Sequence, residues 1–154
     1  NVKSESEWTP LLHALRYSNS EIVKLLIESG ADVNAINNNN WSPLLMALRY
    51  KDAEIGKLLI EKGSDINRMN KDNVSPLMFA SQYNSDLVEI LIENGASVNS
   101  SDSDGMTPLH YAVKGENQEA LKTLIANGAN SSIKNKDGKT AIDLVNEKGL
   151  ENWF

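Results

Sequence analysis

Cysteine is absent from the 154 residues, which excludes disulfides, thiolate nucleophiles and zinc sites built on thiolates. An excess of positive charge is also missing, because 15 Lys and Arg stand against 21 Asp and Glu, for a formal net charge of −6. Nonspecific binding to nucleic acid or to an anionic membrane needs a basic surface, so neither is expected as a partner. No apolar stretch reaches the length of a membrane-spanning helix. These features are typical of a soluble protein.

Histidine is scarce as well, since His13 and His110 are the only two. They lie far apart in the chain, and a catalytic base needs a positioned partner. Asp102 and Asp104 flank a turn, where Asp is favoured for backbone reasons. The sequence has no metal-ligand motif, no calcium loop and no glycine-rich phosphate loop. We therefore predict a protein that is not an enzyme, with no catalytic residue, no cofactor, no metal and no small-molecule substrate.

What the chain does contain is a repeated phrase. WTPLLHALRY at residues 8–17 returns as WSPLLMALRY at residues 41–50. The phrase recurs in steps of 33, 33 and 32 residues, and a weaker copy, TAIDLV, follows after another 33; the copies begin at Thr9, Ser42, Ser75, Thr107 and Thr140. A period of this length is the signature of a stacked repeat fold. The step of 32 indicates a one-residue deletion in the third unit, and we place it in the turn at residues 81–86.

Each full unit carries the signals of two helices. Thr or Ser followed by Pro is a helix cap and a first-turn proline, whose missing N–H costs nothing there. The second segment, such as residues 21–28, has apolar side chains at helical spacing and ends just before a glycine, such as Gly30. Between units, pairs such as Asp104-Gly105 suit a tight turn with positive φ. The pattern predicts helix–turn–helix units joined by reversing turns.

The TPLxxA phrase, the segment EIVKLLIESGADVNA and the 33-residue period together resemble the ankyrin-repeat family over essentially the whole chain. The resemblance implies a mainly α fold, a solenoid of helix–turn–helix units joined by β-hairpin fingers, with a concave face. Stacking is expected on physical grounds too, because one unit cannot bury its apolar faces alone. The family's TPLH motif, whose His ties the helix start to its neighbours, is complete only at residues 107–110. The first three units have Leu12, Leu45 and Met78 in place of that His.

We expect a single ankyrin-repeat domain over residues 1–154. The assigned parts are the end of a preceding finger as N-terminal cap at 1–8, repeats at 9–41, 42–74, 75–106 and 107–139, and a shortened C-terminal capping repeat at 140–154. Trp153 and Phe154 fall where Ile22 and Val23 fall in the first unit, so the chain stops early in a second helix. Ser131 replaces the Val or Ile of earlier fingers, and we expect that finger to be looser.

Positions that packing does not require to recur can serve recognition. In this family these are the finger residues just before the Thr-Pro phrase and the end of the first helix. Stacking aligns them, and Trp, Tyr and Arg are enriched at binding hot spots. We predict a partner-binding stripe, defined as Trp8, Arg16, Tyr17, Trp41, Arg49, Tyr50, Val74, Tyr83 and Met106. The alternative is ordinary packing, in which the finger residues cover the finger base and the tyrosines brace the turn between helices.

The predicted function is a non-catalytic protein–protein interaction module that binds a protein or peptide partner on the concave face. Apolar residues with some acidic character in that partner would suit the arginines. One alternative is a structural spacer or adaptor segment of a longer multidomain protein. Another is an enzyme or small-ligand binder, which would need a deep polar pocket between units. We expect a cytoplasmic location; secretion or delivery to a host stays open, because the sequence begins with Asn1 rather than Met.

Overall fold

The computed structural model describes residues 7–17, 19–150 and 153. Within these residues the chain forms helices and turns, with no strand. The helices are α1 Pro10–Arg16, α2 Ser20–Glu28, α3 Pro43–Arg49, α4 Ala53–Glu61, α5 Pro76–Tyr83, α6 Ser85–Glu93, α7 Pro108–Lys114, α8 Gln118–Ala126 and α9 Ala141–Glu147.

The helices form two layers. The inner helices, α1, α3, α5, α7 and α9, pack on one another in order, and so do the outer helices α2, α4, α6 and α8. Leucines fill the space between the layers, and Leu12, Leu45, Leu59 and Leu91 are fully buried. Burying one such side chain stabilises the fold by about 1.5–3 kcal/mol. This arrangement confirms the predicted mainly α repeat solenoid.

The helix caps are made by the side chains that the sequence indicates. The hydroxyl oxygens of Thr9, Ser42 and Ser75 each accept the backbone N–H of the residue three positions later, at 3.3 Å. The outer helices α2, α4 and α8 are capped in the same way by short polar side chains; Asp52, for example, accepts the N–H of Ile55 at 3.1 Å. Each cap satisfies a backbone donor that the helix itself leaves unpaired. The local sequence therefore sets where most helices begin.

The third unit is shorter at the turn between its helices. Only Asn84 separates α5 from α6, whereas residues 50–52 separate α3 from α4. Asn84 makes no side-chain cap bond to α6. The missing residue therefore lies in the turn at 81–86, as predicted.

The fingers differ in one respect from the predicted β-hairpins. In the first full finger, the Asn37 N–H donates to the Trp41 carbonyl at 3.3 Å and the Asn40 N–H donates to the Asn37 carbonyl at 2.9 Å. Asn40 has the expected positive φ, 58°. Neighbouring fingers are joined by backbone bonds such as Lys71 N–H to Asn39 carbonyl at 3.2 Å. Each finger is thus a tight turn, too short to build the regular ladder of a strand pair.

Asparagine side chains connect successive units outside the core. The Asn34 amide donates to the Gly63 carbonyl at 3.1 Å, and its oxygen accepts the Asp65 N–H at 2.8 Å. Asn67 and Asn99 repeat this two-bond contact with the next unit, and we call the three contacts the asparagine bridges. In the fourth unit the equivalent residue is Ser132, whose shorter side chain carries one hydroxyl instead of an amide.

The ends of the chain are described in part. Trp153 is half-buried and packs against the core cluster. Phe154 and the predicted finger residues 1–6 lie outside the described residues, and the proposed repeat boundaries stay a prediction. Among the helices of the described part, none is both long enough and apolar enough to cross a bilayer.

Candidate functional site

A groove opens between the first two units, beside the inner helices. Its volume is about 310 Å³. We call it the Trp groove, and its lining residues are Trp8, Arg16, Asn37, Asn39, Trp41, Met46, Arg49 and Tyr50. Five of the nine stripe residues meet here, although they come from two fingers and two helices.

The aromatic walls of the Trp groove are held by their neighbours. The Arg16 guanidinium lies 5.2 Å from the centre of the Trp8 ring, and the His13 ring lies 5.3 Å from it. Trp41 stacks on Phe79 with ring centres 5.6 Å apart and an interplanar angle of 29°. Aromatic pairs of this kind contribute about 0.5–1.5 kcal/mol beyond their buried area. Both indoles are therefore fixed before any partner arrives.

The finger that carries Trp41 is fixed by one asparagine. The Asn37 side-chain oxygen accepts the N–H of Asn39 at 2.9 Å and the N–H of Trp41 at 3.1 Å. Met46 is buried and forms the floor beside this finger. The groove thus has a rigid polar rim at the finger and an apolar base at α3.

The Trp groove is positive in a chain that is negative overall. Arg16 and Arg49 are both exposed, and no acidic side chain is among the described lining residues. The ion pairs of the described part of the chain join other residues. The guanidinium groups therefore face the groove without a carboxylate partner from the described residues, against a formal net charge of −6.

The remaining four stripe residues lie outside the Trp groove. Tyr17 is 74% exposed at the end of α1, and Val74 is only 8% exposed, within the core. Tyr83 lies under the ammonium of Lys51, 4.9 Å from its ring centre. Met106 lines a separate groove between the fourth and fifth units. These four residues therefore lie apart from the Trp groove, and Val74 and Tyr83 pack against the core. Their part in partner binding stays a prediction.

The sequence prediction missed several residues of the groove and its support. Asn37, Asn39 and Met46 line it, and Phe79 lies behind Trp41. A signal for part of this set exists in the sequence, because one inner-helix position changes from unit to unit while the alanine that follows it is the same in the four full units. That position holds His13, Met46, Phe79 and Tyr111.

The titratable side chains of α7 have structural roles. The ring of His110 accepts the Thr107 N–H at its Nδ1, at 3.2 Å, so its Nε2 carries the proton and donates to the Lys139 carbonyl at 3.1 Å. Burial lowers the pKa of His110, which keeps the ring neutral. The Tyr111 hydroxyl donates to Asp102 at 2.7 Å, and burial raises the pKa of Tyr111 above its usual range. No group of three potential metal ligands occurs within the described residues.

The comparisons with known proteins concern most of the chain. Residues 1–70 and 67–137 match a family model described as ankyrin repeats (3 copies). No curated protein sequence gives a significant match.

Proposed function

Since this chain belongs to the ankyrin-repeat family, we propose that it is a non-catalytic protein–protein interaction module that holds a partner segment in the Trp groove. Ankyrin repeats are in general protein-interaction modules. The fold alone does not choose a surface, because function depends on the particular side chains presented. The proposal therefore rests on the groove.

The observation that carries the proposal is the meeting of five residues of the hot-spot types Trp, Arg and Tyr in one groove. Trp8, Trp41, Arg16, Arg49 and Tyr50 line it together. Side chains of these types account for much of the binding energy in protein interfaces, and truncating a true hot spot costs at least about 2 kcal/mol. Because the indoles are already held in place, little conformational entropy is lost on binding.

Affinity capture from a lysate of the source cell, read by mass spectrometry, tests this function. The baits are the parent chain, a Trp41→Ala, Arg49→Ala, Tyr50→Ala triple variant, and Leu25→Ala as a control on an exposed residue of the outer helix α2. Thermal melts come first, because Trp41 also packs on Phe79. A protein retained by the parent and by Leu25→Ala but lost by the triple variant supports the proposal.

The other outcomes of this capture are also informative. Equal recovery of one protein on all three baits would place the binding site outside the Trp groove. An absence of specific recovery on every bait would favour the structural spacer or adaptor instead.

A further inference from the structure

We propose that the segment held in the Trp groove is acidic, and that two of its carboxylates, three residues apart in an extended chain, pair with Arg16 and Arg49. This inference rests on the proposed function, because it specifies the chemistry of the segment that the groove takes. An apolar side chain between the two acidic residues lies against Trp41.

The first argument is charge complementarity. Arg16 and Arg49 share a groove whose described lining contains no Asp or Glu. Some other cations in the described part of the chain have carboxylate partners: Lys24 lies 2.8 Å from Glu54, and Lys148 lies 2.8 Å from Glu116. Arginine with a carboxylate forms charge-assisted and often bidentate hydrogen bonds, the strongest available between side chains. A carboxylate is therefore the ligand group that this pair of guanidinium groups fits best.

The second argument is the spacing of the two arginines. Arg16 ends α1 and Arg49 ends α3, so they hold the same place in consecutive units. The helices α1 and α3 pack directly on each other, and packed helices have axes about 8–10 Å apart. A polyproline II chain rises about 3.1 Å per residue with three residues per turn, so positions i and i+3 face the same way about 9 Å apart. The spacing of the acids in the pattern acid-x-x-acid therefore matches the spacing of the two helices that carry the arginines.

The third argument concerns the apolar lining of the groove. Trp41 and Met46 line it together with the two arginines, and Trp41 is half-buried with its ring stacked on Phe79. A flat indole face offers a large apolar contact at small entropic cost. One of the two intermediate residues of the segment is accordingly apolar.

A protein segment fits better than nucleic acid, which is also anionic. Single-stranded nucleic acid carries a charge at every residue and binds through extended positive surfaces. The outer helices of this chain instead present acidic side chains, among them Glu21, Glu54 and Glu61. A short segment with two charges in register meets the two arginines without extending over this negative surface.

Selection from a phage-displayed library of random nine-residue peptides tests the inference. The targets are the parent, a charge-reversal variant that carries both Arg16→Glu and Arg49→Glu, and the single variant Trp41→Ala. The melting temperature of each target is checked first. We expect the parent to enrich acid-x-x-acid peptides with an apolar residue between, and the charge-reversal variant to enrich Lys or Arg at the same spacing. Against a peptide selected on the parent, Arg49→Ala should weaken binding about tenfold.

The same experiment separates this inference from the proposed function. Two outcomes would overturn the inference of two spaced acidic residues but leave the groove as a binding site. The selected peptides could require Trp41 without any preference for Asp or Glu, or the same peptides could enrich equally on the charge-reversal variant. No enrichment on the parent would contradict both. Synthetic copies of a selected peptide with the acids one or five positions apart should bind more weakly, and equal binding would also refute the spacing.

A twenty-residue oligo-dT strand provides the remaining comparison. We expect it to leave bound peptide undisturbed. If it displaces the peptide from the parent, and binds the parent but not the charge-reversal variant, the groove is a nucleic-acid site and the inference is wrong.

Discussion

His110 occupies a position that is apolar in the first three units, and the difference lies in what its ring connects. In those units a Leu or Met packs into the core, and Met78 sulfur accepts the Ser75 N–H at 3.4 Å. In the fourth unit the neutral ring bonds the start of α7 at one nitrogen and the Lys139 carbonyl of the next finger at the other. The imidazole thus links two units. Protonation would remove the Nδ1 acceptor of the Thr107 N–H but would leave the Nε2–H bond to the Lys139 carbonyl.

This role makes stability dependent on pH. Because burial holds the pKa of His110 below its ordinary value, the unfolded chain takes up a proton more readily than the folded one. The contribution of the neutral ring is complete above the unfolded pKa of about 6.5 and is lost as pH falls through and below it. The hydrogen bond to the Lys139 carbonyl and, to a smaller extent, the charge of Asp102 oppose part of this effect, because both favour the charged ring. We expect the parent to be less stable at pH 5.5 than at pH 7.5.

The control for this prediction is His110→Leu, which copies Leu12 and Leu45. At pH 7.5 it should be less stable than the parent by about 1–3 kcal/mol, because the buried Thr107 N–H and the half-buried Lys139 carbonyl lose their partner. Its urea midpoint should change less than that of the parent between the two pH values. Two results would contradict this role of His110. The urea midpoint of the parent could stay unchanged between pH 7.5 and pH 5.5, or the midpoint of His110→Leu could fall by the same amount as that of the parent.

At the scale of elements, α5 and α7 are brought together at Gly115. The first three units carry Tyr17, Tyr50 and Tyr83 at this place. A Cβ on Gly115 would collide with the backbone carbonyl of Gln82 in α5. Since a backbone atom cannot rotate away, the close approach of these two helices requires glycine at this turn.

The matched comparison is Gly56, inside α4. A Cβ there would meet the Leu87 side-chain end at 2.8 Å, which can shift, and alanine is favoured over glycine in a helix by about 1 kcal/mol. We therefore expect Gly56→Ala to stay within about 1 kcal/mol of the parent. Gly115→Ala should destabilise the chain by about 1–3 kcal/mol, as overpacking does. Urea unfolding of the two variants measures this, and similar midpoints would show that α5 and α7 can separate at no cost.

The elements themselves were predictable because their signals are local. Thr9 and Ser42 cap their helices through atoms three residues away, and the turn at Asn40 needs only its own positive φ. The groove was predictable in part, since the period aligns Trp8 with Trp41 and Arg16 with Arg49. The packing behind the groove was not predictable, because Trp41 stacks on Phe79 of another unit. Val74 occupies the same place in its unit as Trp41 and is nevertheless buried. Whether a finger residue faces outward depends on the bulk of side chains that are distant in sequence.

At the scale of the whole molecule, cooperativity depends on contacts between neighbouring units. In a stacked repeat each unit contacts only its neighbours, so stability is a sum of unit terms and interface terms. The asparagine bridges belong to the interface terms, because each crosses from one unit to the next. Asn67 forms the middle bridge, with the Gly95 carbonyl at 3.1 Å and the Ser97 N–H at 3.0 Å. Weakening it weakens the junction between the two halves of the stack.

Asn67→Ala should therefore lower the free energy of unfolding by about 1–2 kcal/mol, from two exposed neutral hydrogen bonds, and should also uncouple the two halves. Tryptophan fluorescence reports on Trp8 and Trp41, which precede Asn67 in the chain, on the contact of Trp41 with Phe79, and on Trp153, whereas far-UV circular dichroism reports on all helices. In the parent the two urea curves should coincide, and in Asn67→Ala they should separate as a half-unfolded state becomes populated. Asn94→Ala is the control, because the Asn94 amide donates to Ile90 within its own helix, at 2.7 Å. If cooperativity falls equally in the two variants, the core contacts alone couple the unfolding of neighbouring units. The asparagine bridges would then add stability without contributing to that coupling.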